Sequence, residues 1–311
     1  MPALSGKMTR ILAMGSPFGD IPICLQIPIN RKPGATAEPK VMPNLKPNNL
    51  ILVDVGNTTM KIGIVHDGLR EVYSLQTNSG QTSDTLGLSL VELLRHAGCE
   101  KETFSACVVC SVVPAMDPLF RAAIARFVGC PIFFAPRDLP VPLENRYHRA
   151  EQVGADRLVA AYAARVLHPE TPALVVVDFG TAVTFDCVQD NSYLGGLIFP
   201  GPMTALNALA GATAKLPGVN LDCEDLEPTP GRDTSTSIRH GILFGFASLV
   251  DGLVAKLSAQ LKGPVKVVGT GGFAQSIARI APSLHEVTPD LLLQGLKILY
   301  TQREQDSRIN P

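Results

Sequence analysis

Residues 50–65, LILVDVGNTTMKIGIV, carry an apolar run into Asp54, Gly56 and a small polar turn, then into a second apolar run. Residues 174–188, LVVVDFGTAVTFDCV, repeat that order around Asp178 and Gly180. Either copy alone reads as a β-hairpin, because glycine, asparagine and threonine are ordinary turn residues. Either also reads as a loop whose hydroxyls, amide and backbone N–H groups can hold phosphate. The same aspartate at the end of the same kind of strand, found twice, points to an internal duplication. Such a chain folds as two similar halves, each offering an Asp-x-Gly turn to a shared cleft where phosphate is held between the turns.

The rest of the chain is consistent with that plan. Apolar β-branched runs at 50–55, 62–65, 106–113, 131–134, 173–179, 183–188 and 265–269 predict strands. Amphipathic stretches between them, such as TLGLSLVELLRHAG, ADRLVAAYAARVL and GILFGFASLVDGLVAKLSAQL, predict helices, and PDLLLQGLKILYTQ predicts a closing helix. Alternation of this kind predicts an α/β protein with helices packed on a mixed sheet. Residues 1–49 differ: they hold eight prolines and no helical period. They read as a proline-rich, flexible extension, neither a membrane span nor a signal segment. Met42 is then the expected working start, with residues 50–170 and 171–311 as the two halves.

Composition excludes several classes. A net charge of −1 leaves no basic footprint for nucleic acid or anionic lipid. The absence of tryptophan argues against a stacking platform for single strands. The seven cysteines include one CxxC, Cys107 to Cys110, inside an apolar run. With no second CxxC for zinc it reads as buried structural thiols, and the odd count suits a reducing cytoplasm. No GxxxxGK[ST] loop, GxSxG elbow or HExxH pair is present, and the six histidines show no ligand spacing.

The ordered motifs DVGNTTMK (54–61), SVVP (111–114), VGADRLVAA (153–161) and DFGTAVT (178–184) resemble those of type III pantothenate kinases. GGLIFPG (195–201), TAKLP (213–217), HGILFGFASLVDG (240–252) and GTGGFA (269–274) continue the match in the same order. The resemblance implies a duplicated actin-like (ribonuclease-H-like) ATPase fold, two similar halves around an ATP cleft. It also implies ATP-dependent phosphorylation of pantothenate, the first step of coenzyme A biosynthesis, in a cytoplasmic homodimer whose active site lies near the subunit interface.

By that resemblance Asp54, Val55, Gly56, Asn57, Thr58, Thr59, Met60 and Lys61 form the ATP loop with Mg2+, and Thr181 contacts phosphate from the second loop. The chemistry agrees: phosphoryl transfer asks mainly for positioning and charge neutralisation, and a carboxylate such as Asp54 meets phosphate best through a hard cation. The plain reading of Lys61 is an exposed strand residue. Asp178 matches a ligand for a monovalent cation, K+ or NH4+. The glycines of GTGG let backbone approach a ligand and resemble an adenosine-side turn, though a tight strand-to-helix turn needs them too.

Asp156 opens a predicted helix, where an acid ordinarily serves as a cap; the resemblance makes it the general base for the substrate hydroxyl. Gly154, Ala155, Asp156 and Arg157, with Tyr147, match substrate contacts, although Ala150 stands where relatives often have proline. Thr234 matches a threonine reaching the neighbouring subunit's pocket, with Thr236 the competing register. Two rival functions remain open: a kinase for another small alcohol or sugar, and a non-catalytic ATP-binding regulator of gene expression.

Overall fold

The computed structural model describes residues 49–66, 69–212, 219–222 and 225–309. Residues 1–48, including Met42, and the TAKLP motif lie outside the described residues.

The duplication is written into the strand order. The first sheet runs β3-β2-β1-β4-β5, with β1 (Leu50–Val55), β2 (Thr59–Val65), β3 (Leu69–Gln76), β4 (Ala106–Ser111) and β5 (Ile132–Ala135). The second runs β11-β10-β7-β8-β9-β6, with β6 (Glu144–Asn145), β7 (Ala173–Phe179), β8 (Ala182–Gln189), β9 (Ser192–Pro200), β10 (Val265–Gly271) and β11 (Glu286–Val287). β7, β8, β9, β10 and β11 repeat β1 to β5 in order and direction. In each sheet the first three strands form an antiparallel meander and the last two add in parallel. This is the duplicated actin-like plan, with β6 added at the second edge.

Helices fill the crossovers. α1 (Ser83–His96) and α2 (Asp117–Ala123) serve the first sheet; α4 (Pro202–Gly211), α5 (Thr234–Ser258) and α6 (Ala274–Ala278) serve the second. Each half then ends in a helix, α3 (Ala155–Leu167) and α7 (Leu291–Ile309). These two pack on each other between the sheets. A Cβ on Gly295 of α7 would lie 2.8 Å from Val159 O of α3, so the crossing depends on that glycine.

Strand parity decides what faces where, because successive side chains point to opposite faces. Ile51, Val53 and Val55 of β1 join Met60 and Ile62 of β2 under Leu86, Leu90 and Phe120. Leu50 and Leu52 face the other way, onto Val159, Tyr162, Leu293 and Leu296 of α3 and α7. β7 does the same: Val175, Val177 and Phe179 lie under α5 and α6, while Leu174 and Val176 meet Ala160, Ala164 and Leu291. Both faces of each sheet are therefore covered, which is why these strands read as continuous apolar runs. Parity also settles the CxxC pair. Cys107 lies in the outer core and Cys110 in the inner one, so they cannot share a metal; both are buried free thiols whose pKa is pushed up by burial.

Candidate active site

Asp54 shares the parity of Leu50 and Leu52, and Asp178 that of Leu174 and Val176. Both carboxylates therefore point to the inner layer, where the N-termini of α3 and α7 arrive. Lys61 stands opposite Asp54 in the β1–β2 register, and Thr184 opposite Asp178 in the β7–β8 register. Each polar turn closes on its glycine, Gly56 N–H to Thr59 O at 3.1 Å and Gly180 N–H to Ala182 O at 3.0 Å, the first turn being one residue longer. Val55 and Met60 are buried at the foot of the first turn, while Asn57, Thr58 and Thr59 are exposed at its tip. The two tips meet: Thr181 Oγ1 donates to Thr58 Oγ1 at 3.1 Å. Each copy is thus a hairpin and also half of a cradle of N–H and hydroxyl donors.

Beneath the cradle the charge is lopsided. Burial, reinforced by the Asp178 carboxylate and only partly offset by Lys61, pushes Asp54 up to about 7; Asp156 and Asp290 add to the rise. Burial likewise pushes Asp178 up to about 6, and Lys61 again works against it. Asp156, in the first turn of α3, is raised chiefly by burial. Four carboxylates against one ammonium make a site whose ionised form calls for cations.

The substrate candidates sit to one side. Gly154 is the N-cap of α3, and Ala155, half-buried, opens the helix. Asp156 Oδ1 accepts from Arg157 N–H at 2.8 Å. Arg157 is turned inward and is 8% exposed; its Nε donates to Asp186 Oδ1 at 2.8 Å, and Asp186 also accepts from Tyr193 OH and Thr184 Oγ1. Arg157 Nη2 lies 2.7 Å from the same oxygen but makes no well-aligned hydrogen bond. Tyr147, half-buried, packs its ring over Gly195, whose φ is 115°. Thr234 is exposed at the start of α5, whereas the Thr236 hydroxyl donates to the capping Asp233 at 2.8 Å.

At the end of β10, Gly271 has φ 89°, and a Cβ there would drive into the Asp178 carboxylate and lie 2.7 Å from the Phe179 backbone. The GTGG glycine is therefore needed for closeness to Asp178.

Sequence reasoning missed Asp186 and Asp290. Asp186 has the parity of Asp178 on the adjoining strand, a usable signal. Asp290 immediately precedes α7, as Gly154 precedes α3, and no pattern in the sequence marks it.

Comparison with known proteins agrees with this architecture. The family profile of type III pantothenate kinases matches residues 50–256. A type III pantothenate kinase of Desulfovibrio desulfuricans is 60% identical over 254 residues, 81% of this chain and 96% of that protein. One from Lawsonia intracellularis is 48% identical over 254 residues, 80% of this chain and 94% of that protein. A solved structure from Campylobacter jejuni, named for a Baf family of transcriptional activators, covers 82% of this chain and 99% of its own at 18% identity with a TM-score of 0.50, a likeness of fold alone. With two-thirds of its length under one family profile and close relatives of full length, the chain belongs to the type III pantothenate kinase family.

Proposed function

We propose that this protein uses ATP to phosphorylate the terminal hydroxyl of pantothenate, in the cytoplasm, opening coenzyme A biosynthesis. The observation that carries the reading is the contact of the two hairpin tips at Thr58 and Thr181 above the inward-facing Asp54, Asp178 and Asp156. Asn57, Thr58 and Thr181 donate to phosphate oxygens from exposed tips, and the Lys61 ammonium is within the cleft to meet the γ-phosphate. Mg2+, when bound, neutralises charge that develops on the transferring group. The uncompensated carboxylates fit it, with Asp54 its protein ligand and Asp178 the ligand of a monovalent cation.

Asp156 accepts the hydroxyl proton as attack proceeds. Its raised pKa supports that role, since a base matched more closely to neutral pH transfers protons more effectively. Arg157, neutralised by Asp186, backs the substrate wall from within, its Nη2 buried beside that carboxylate. Tyr147, Gly154 and Ala155 complete that wall.

A homodimer suits the surface. α5 is long and apolar enough by composition to cross a membrane, with mean hydropathy 1.5 and 28% of that stretch buried. It is instead capped by Asp233 and packed on the second sheet, and Phe199 joins it through Phe246. Exposed Leu197, Phe199 and Met203 extend the apolar surface over β9 and α4, the kind of patch that a partner covers. Thr234, at the free end of α5, then reaches the neighbouring subunit's substrate.

The test is ADP release with pantothenate, Mg2+ and ATP, in K+ and in Na+, beside Asp156→Asn. Turnover should depend on pantothenate and rise with K+, and Asp156→Asn should lose about 10²–10⁴-fold while ATP binding persists. Full activity in Asp156→Asn would remove the base assignment. No turnover by folded, dimeric protein would remove the kinase reading.

A further inference from the structure

Lys61 and Asp54 face each other across β1 and β2 on one side of the sheet, a spacing at which opposite charges ordinarily pair. The ammonium goes elsewhere: Lys61 Nζ lies 3.3 Å from Asp290 Oδ1. Asp290 is held firmly for that task. Its φ is 53°, in the left-handed region that aspartate and asparagine enter more easily than most residues. Its carbonyl accepts from Gln294 N–H, and the next residue, Leu291, donates from N–H to Thr270 Oγ1 at the end of β10. Asp156 is the second residue of α3 and Asp290 the residue just before α7, and the two helices pack against each other. Asp156 accepts from its own helix at Arg157 N–H, whereas Asp290 is engaged with a lysine 229 residues away.

A lysine settled on Asp54 would spend two groups at once, the carboxylate needed by a cation and the ammonium needed by phosphate. We propose that Asp290 is a positioning residue for phosphoryl transfer, drawing the Lys61 ammonium off Asp54 so that both groups stay available to the metal-bound nucleotide. This rests on the reading of the cleft as a Mg2+–ATP site.

The test is calorimetric binding of Mg2+–ATP, and of ATP in excess chelator, to the parent, Asp290→Asn, Lys61→Met and the double variant. Asparagine keeps the size and the left-handed backbone; Asp290→Gly is the second variant if it folds poorly. Asp290→Asn should weaken Mg2+–ATP binding about five-fold, the scale of one half-exposed ion pair, with a smaller effect in chelator. In the Lys61→Met background it should do nothing. Equal weakening in that background would make Asp290 a mere support for α7, and tighter binding in Asp290→Asn would make it only a repeller of phosphate; either overturns the proposal. Failure of the parent to bind nucleotide would instead overturn the reading of the cleft.

Discussion

Replacing Asp186 by asparagine should destabilise the protein through charge rather than through lost hydrogen bonds. The carboxylate is 1% exposed and accepts from Arg157 Nε at 2.8 Å, Tyr193 OH at 2.7 Å and Thr184 Oγ1 at 2.9 Å. An amide of the same shape keeps one acceptor for Arg157 and Tyr193, and the Thr184 hydroxyl can turn to accept from its NH2. What disappears is the negative charge beside a guanidinium whose side chain is 9% exposed. Leaving such a charge buried and uncompensated costs about 3–5 kcal/mol, a large share of a total stability of about 5–15 kcal/mol. At about 2–4 °C per kcal/mol for a domain of this size, the melting temperature should fall by about 10 °C. Because the chain lacks tryptophan, the assay is urea unfolding followed by far-UV circular dichroism. The decisive arm is the double variant with Arg157→Met, which removes the orphaned charge and should recover about 2 kcal/mol relative to Asp186→Asn alone. A loss under about 1 kcal/mol in Asp186→Asn, or strict additivity in the double variant, would refute the account.

Gly271→Ala should weaken nucleotide binding and cost about 1–3 kcal/mol, since its backbone is left-handed and a Cβ would press on Asp178 and the Phe179 backbone. Gly272→Ala, with open space around the new Cβ, is the stability control and should leave unfolding unchanged. Asp54, raised to about 7, and Asp178, raised to about 6, bind more protons in the native than in the unfolded state. Their contribution to stability should therefore fall as pH rises from about 4 to about 7, and Mg2+ with ATP should raise the melting temperature more at about pH 8 than at about pH 5. A pH-independent gain would contradict this. Leu197→Glu, on the same face of β9 as Phe199 and 38% exposed, should yield monomers in sedimentation velocity together with loss of pantothenate turnover.

Some of this was legible in the sequence. The helix at ADRLVAAYAARVL matches α3 residue for residue, because its apolar positions recur with helical spacing and Gly154 marks its start. The core strands β1, β4, β7, β8 and β10 were legible as apolar runs, since both of their faces are covered. β3, β9 and β11 were not. LREVYSLQ of β3 mixes charged and apolar residues on a sheet edge. In β9 two glycines interrupt the run, and the register with β8 slips between Cys187 and Val188. β11 is two residues long. α5 begins at Thr234, seven residues before the apolar pattern, because the Asp233 carboxylate caps a stretch that by composition reads as loop. Lys61 was readable as a member of the first loop or as a plain strand lysine, whereas its partnership with Asp290 depends on a contact across most of the chain.

Parity explains how a hairpin can also serve as the phosphate cradle proposed above. The turn must be tight enough to continue the meander, which Gly56 and Gly180 allow, and its donors must project past the strand ends, which the exposed Thr58 and Thr181 do. The aspartate before each turn is then forced inward or outward by its count from the buried residues of its strand. Ile51, Val53 and Val55 claim the outer layer, so Asp54 can only face α3 and α7. Shifting Asp54 by one position would bury its carboxylate among Leu86, Leu90 and Phe120, where no cation could reach it and no partner could offset its desolvation. The same count governs Asp178, Lys61 and Asp186. Two alternating strands per half, used twice, thus deliver three carboxylates and an ammonium to one internal layer, and the two closing helices bring Asp156 and Asp290 to meet them.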